Sequence, residues 1–286
     1  MLAVHRGDYE QGRARLEESL AIGRAAGNQV SIATVTNNLG YLFQEQKSYL
    51  DAAGAYAKSA AAYRELRDKL DTAAALCNHA YALLAQGDVI SARALCEDSL
   101  AIARDLPDAK AIAWSCLDLA LVHLHQQDWN GAQLLLMESL RAGHGLVHAR
   151  ADEARIAFCL KGLARVAAAQ GSHERALRLF SASEALRVDR QRPRTWSGTA
   201  LWAAPPFDAA SVEEWLSRAR AELGADGSAA AVSAGRAMSL QQAVAFAAQP
   251  DAGSTGMGTD EEGSVKSHDP TGPRWPDSAK REIVKR

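Results

Sequence analysis

Small residues return in this chain every forty positions, and that period restricts what it can fold into. Gly40, Ala80 and Ala120 are spaced by forty, and Ala164 follows after forty-four, so four residues interrupt the series once. Twelve residues after each stands another small residue: Ala52, Ala92, Ala132 and Ala176. Seven further on is always a serine: Ser59, Ser99, Ser139 and Ser183. Gly12 and Ser19 give a half-repeat at the start. Self-similarity at this period predicts a solenoid, in which each unit buries its apolar face only against its neighbours.

Within one unit the pattern is helical. Val35, Leu39, Leu42 and Phe43 fall on one helix face, residues 46–48 break the pattern, and Tyr49 opens a second helix that buries Ala52, Ala53, Tyr56 and Ala60. The same turn recurs at Gly7, Asp8 and Tyr9, at Gly87, Asp88 and Val89, at Gln127, Asp128 and Trp129, and at Gly171, Ser172 and His173. Glycine there can take the left-handed geometry that stops a helix, and aspartate or serine can cap the next one. The small pair twelve apart marks the closest crossing of two antiparallel helices. Apolar residues make up 48% of the chain but aromatics only 6%, so alanine and leucine must carry the burial, which suits closely packed helices.

Small residue, twelve-residue interval, small residue, then a large one four later (Tyr56, Cys96, Leu136, Phe180) resembles the tetratricopeptide repeat. That repeat is ordinarily about 34 residues; the extra length fits helices extended by almost a turn each. HEAT arrays share the longer period but not the small-residue pair. Long repeats of this kind resemble the MalT-like regions of bacterial signal-transduction ATPases and of LuxR-type or SARP-type transcriptional regulators. The likeness continues at residues 180–186, at the helical stretch 211–221 and at residues 237–245, which is similar to the closing phrase of those regions. Ser239 and Gln242 form a capping-box pattern there. The resemblance covers about residues 1–248. It implies an all-α, right-handed tetratricopeptide superhelix with a helical C-terminal cap.

The expected plan is a repeat array over 1–188, a linker and capping helices over 189–248, and a disordered tail over 249–286 whose Gly, Ser, Thr, Asp and Pro content cannot build a core. Three short helices are expected over 207–248. The register leaves the first repeat without most of its first helix. Relatives of this type carry a nucleotide-binding module upstream, so an upstream module or partner chain is expected, and the first helix is expected to fray or to pair with another chain. The sequence has no phosphate-binding G-x-x-x-x-G-K-[ST] motif of its own.

Solenoids of this type present the first helix of each pair on a concave face. The candidate groove residues are Asn37, Tyr41, Tyr81, Trp114, Leu117, Phe158, Lys161 and Arg165, an aromatic stripe ending in two cations that suits a peptide with an acidic end. The bland alternative is that they pack against adjacent repeats. His123, His125, His144 and His148 lack the partners of a metal site, and histidines on the surface or between helices are the better reading. Arg187, Arg190, Arg192 and Arg194 beside Trp196 read as a charged loop, and a net charge of −2 argues against nucleic-acid binding.

Cys77, Cys96, Cys116 and Cys159 have no ligand spacing and read as buried hydrophobes of a reducing compartment. No apolar run spans a membrane and no secretory leader is visible, so a cytoplasmic protein is expected. No cofactor and no enzymatic activity are expected. The reading is a protein-interaction or effector-sensing repeat domain of a bacterial regulator that lacks its own ATPase and DNA-binding modules. A free-standing assembly scaffold and a non-functional fragment of a larger regulator remain the alternatives.

Overall fold

The computed structural model describes residues 8–142, 150–186 and 209–249, and every described element is a helix. They are α1 (Tyr9–Ala25), α2 (Gln29–Glu45), α3 (Tyr49–Glu65), α4 (Lys69–Ala85), α5 (Val89–Arg104), α6 (Ala109–His125), α7 (Trp129–Ala142), α8 (Arg150–Ala169), α9 (His173–Leu186), α10 (Ala209–Arg236) and α11 (Leu240–Ala248). Four helix pairs, α2/α3, α4/α5, α6/α7 and α8/α9, follow the half-repeat helix α1. From α1 to α10 each helix packs on the next in sequence, and the first helices of successive pairs also meet, α4 on α6 and α6 on α8.

The period has a local cause. Helices α1 to α4 are each 17 residues long, and a three-residue turn completes a unit of twenty, so one forty-residue repeat is two such units. Asp8, Asn28, Asp68, Asp88 and Asp128 accept a bond from the backbone N–H three residues on, which satisfies a helix-start donor that would otherwise be orphaned. Ser48 differs: its hydroxyl donates to Asp51 at 2.6 Å instead of capping the backbone. The stop residues are equally regular. Gly27, Lys47, Arg67, Gly87, Gln127 and Gly171 all have left-handed φ between 57° and 86°. Three of these are not glycine, and each such residue is disfavoured there by Cβ crowding. At the corresponding position 107 stands Pro107, whose ring holds φ near −65° and excludes that geometry. Helix α5 accordingly stops at Arg104, one residue short of its counterparts.

The small-residue pairs sit where the helices touch. Ala52, Ala92, Ala132 and Ala176 are fully buried, as are Ala80, Ala120 and Ala164 within 1%. At Gly40 an added Cβ would lie 2.7 Å from the ring of Tyr56, a residue with no exposure. The serines that follow bind across each pair: Ser59 to the carbonyl of Ala33, Ser99 to Ala73 and Ser139 to Ala113, at 2.9, 2.9 and 2.6 Å.

Past the repeats, α10 lies along α9 and touches α8, while α11 returns to α8 and α9. Helix α10 is broken at Gly224 (φ 68°, ψ 178°), where the chain changes direction before continuing. Gly235 lets α10 approach α9 so closely that a Cβ would meet the Arg178 carbonyl. Ser239 and Gln242 form the reciprocal capping box expected from sequence. At the other end of α11, Arg175 donates to the carbonyls of Ala247 and Gln249 at 2.9 and 2.8 Å, and its guanidinium lies 5.1 Å from the Phe246 ring. A cation at a helix C-terminus satisfies free carbonyls and complements the dipole. One continuous core joins α4 through α11. The histidines at 144 and 148, the arginine run at 187–194, Trp196, the prolines of the linker, and the tail beyond 249 lie outside the described residues.

Candidate functional site

Of the eight residues expected to line a groove, six are buried: Tyr41, Tyr81, Trp114, Leu117, Phe158 and Lys161. Tyr81, Trp114, Leu117 and Phe158 belong to the main core. The expected open aromatic stripe is therefore mostly filled by packing. The reason is contact between first helices of neighbouring pairs, which buries the face that faces inward on α4, α6 and α8. Asn37 is half-buried, and its side-chain oxygen accepts from Asn78 Nδ2 at 3.2 Å, joining α2 to α4. Arg165 alone combines partial exposure with a position on a cavity.

That cavity is a cleft of about 490 Å³ at the junction of the last repeat and the cap. The α6–α7 turn brings Gln127 and Trp129, the end of α8 brings Arg165, Ala168 and Ala169, and α10 brings Ser211, Glu214, Trp215 and Arg218. Gly171 and His173 close it at the start of α9. Sequence reasoning placed Arg165 in a groove but missed the α10 residues, because nothing in the repeat register tells where a returning helix will land.

Arg165 carries its guanidinium 4.7 Å from the centre of the Trp129 ring. Partial burial pushes its pKa down, and the carboxylate of Glu214 pulls it back. Among the described residues neither Arg165 nor Arg218 makes a hydrogen bond or ion pair, and Glu214 is not within ion-pair distance of either. Trp215 is buried edge-on against Phe180, with ring centres 5.4 Å apart. Among the described residues, the indole Nε1 of Trp215 and the Nδ1 of His173 are buried without a hydrogen-bond partner. Such atoms are costly to leave unsatisfied. The arrangement is a cationic, aromatic-walled recess, and its two guanidinium groups suit an anion.

The other candidates resolve structurally. His123 is buried, and its Nδ1 is 2.7 Å from Asp128 Oδ2, while Asp128 also caps α7 through Gly131. The pair locks a turn. A Cβ on residue 131 would collide with both side chains, which explains glycine there. The Gly131 N–H and then His123 hold the Asp128 carboxyl below its ordinary pKa. All four cysteines are buried and free. Among the described residues, no three His, Cys, Asp or Glu side chains cluster as metal ligands would, and no helix is long and apolar enough to cross a membrane.

Comparison with known proteins agrees with this architecture. Residues 71–142 match the tetratricopeptide repeat family. No curated protein matches the sequence. Among solved structures, the crystal structure of BtubC (BKLC) from P. vanneervenii superposes with a TM-score of 0.57 at 16% identity, over 92% of this chain and 99% of that one. At that identity the likeness concerns the fold alone. The chain thus carries a tetratricopeptide-repeat region folded as an all-α solenoid.

Proposed function

We propose that this chain is the protein-interaction domain of a bacterial regulator, and that binding to it alters how the array sits on a catalytic or DNA-binding neighbour. The observation that carries the interaction reading is the tetratricopeptide match at 71–142, set in an array whose described units pack on their neighbours. The regulator context rests on the closing segment at 237–245, which is similar to that of MalT-like regions; it starts its helix here with its own capping box, and Arg175 holds the end of that helix to α9. Because most inner-row side chains are buried, the partner engages the C-terminal part of the row, around Arg165, and not a groove running the length of the array.

Affinity purification of the full chain from its native host, followed by cross-linking and mass spectrometry, tests this. The expected result is a stoichiometric partner bearing a nucleotide-binding or DNA-binding module. A chain that purifies alone under mild cross-linking overturns the reading.

A further inference from the structure

One inner-row position, followed through the repeats, reads Tyr41, Tyr81, Leu121 and Arg165. The first three are buried apolar or aromatic residues. The residue that opens the second helix of the preceding repeat packs against this position. Tyr49 meets Tyr81 edge-on, with ring centres 6.2 Å apart, and Trp129 meets Arg165. In the last repeat, therefore, a cation has taken the tyrosine's place on an aromatic platform. The substitution coincides with the cleft, and the cleft is where α10 contributes a second guanidinium, Arg218.

Resting on the interaction reading above, we propose that this cleft binds a ligand presenting one carboxylate beside an apolar or aromatic body. A guanidinium fork matches a carboxylate in two parallel hydrogen bonds, and stacking on Trp129 fixes its plane. The lining holds two guanidinium groups, Arg165 and Arg218, and one acid, Glu214, so it carries one net positive charge. A monoanion balances it, whereas a phosphate dianion would meet Glu214 with charge to spare. Trp129, Ala168, Ala169 and Trp215 supply the apolar wall. The volume falls in the range of about 300–1,000 Å³ that holds small ligands or one anchoring residue of a peptide. The carboxylate is supplied either by the C-terminus of a partner protein or by a free amino-acid-like effector; the chemistry at Arg165 is the same.

Calorimetric titration of the full chain distinguishes these sources. The probes are N-acetyl-phenylalanine, its amide, inorganic phosphate, and a hexapeptide ending in phenylalanine with a free or an amidated carboxyl group. Each free acid is expected to bind at least tenfold more tightly than its amide, and Arg165→Gln to abolish that preference. Arg165→Lys is expected to keep part of it. A peptide acid at least tenfold tighter than N-acetyl-phenylalanine identifies a protein terminus as the source; equal affinities identify the free effector. Acid and amide of equal affinity, phosphate bound in preference to the acids, or an unchanged preference in Arg165→Gln overturns the proposal. The indole NMR signals of Trp129 and Trp215 in the wild-type chain give a readout independent of any variant's folding: the free acid shifts them, and no shift overturns the proposal. Loss of the carboxylate preference while a native partner is still captured removes this inference and leaves the interaction reading standing.

Discussion

The hydroxyl of Ser99 lies 2.9 Å from the carbonyl of Ala73, twenty-six residues earlier, and donates to it across the buried crossing of α4 and α5. Ser59 with Ala33 and Ser139 with Ala113 repeat the bond at the same separation. Ser99 also accepts from Cys77 Sγ and shares a 3.1 Å contact with Ser115, so it ties α4, α5 and α6 together. Ser183 departs from the series: its hydroxyl turns to Phe180 in its own helix. Ser59→Ala is expected to lower stability by about 1 kcal/mol, the net worth of one buried hydrogen bond. Ser99→Ala and Ser139→Ala should lose more, since each leaves further partners unsatisfied, and Ser183→Ala should lose least. Urea unfolding of the four variants checks the order. Equal losses at all four positions would mean that burial of a small side chain matters and the inter-helix bond does not.

Gly40 and Tyr56 form a matched pair. Where the third repeat has Ala120 with Leu136, this one has glycine facing a larger ring, and the Tyr56 hydroxyl donates to Gln44 at 3.1 Å in the interior. Gly40→Ala is expected to destabilise by about 1–3 kcal/mol, the usual result of overpacking. Adding Tyr56→Leu should recover part of that loss, because it restores the combination found at 120 and 136. Thermal unfolding of both single variants and the double variant gives the coupling energy. Additive losses would show that the two positions do not compete for the same space.

Asp118, on α6, is buried, and that burial pushes its pKa from 3.8 up to about 7, with the neighbouring Cys77 side chain acting the other way. The neutral carboxyl is therefore the form the fold prefers. Below about pH 4 both folded and unfolded chains are protonated at this group and it exacts no penalty. Between about 4 and 7 the unfolded chain releases the proton more readily, so stability falls as pH rises, and it is level above that. The displacement is equivalent to about 4 kcal/mol at most. Asp118→Asn is expected to be more stable than wild type at pH 8 and to flatten the slope between pH 4 and 7. An unchanged slope in denaturant titrations across that range would place the carboxyl's cost elsewhere.

What the sequence determined by itself is the periodic part. The caps at Asp8, Asp88 and Asp128, the left-handed stops at Gly87 and Gly171, and the close contacts at Ala52, Ala92 and Ala132 are legible because each depends on neighbours within a turn or within one helix pair. Even the capping box of Ser239 is a matter of four consecutive residues. The fate of the inner row was not legible. Tyr81, Trp114 and Phe158 carry the same local signal whether they face a ligand or the next repeat, and only the packing of α4 on α6 and α6 on α8 decided for burial. The cleft was decided later still, when α10 crossed the end of the array and brought Glu214, Trp215 and Arg218 to Arg165. Periodicity sets which side chains share a helix face. It carries no term for the helix that arrives from outside the repeat, and the cleft lies where that helix arrives.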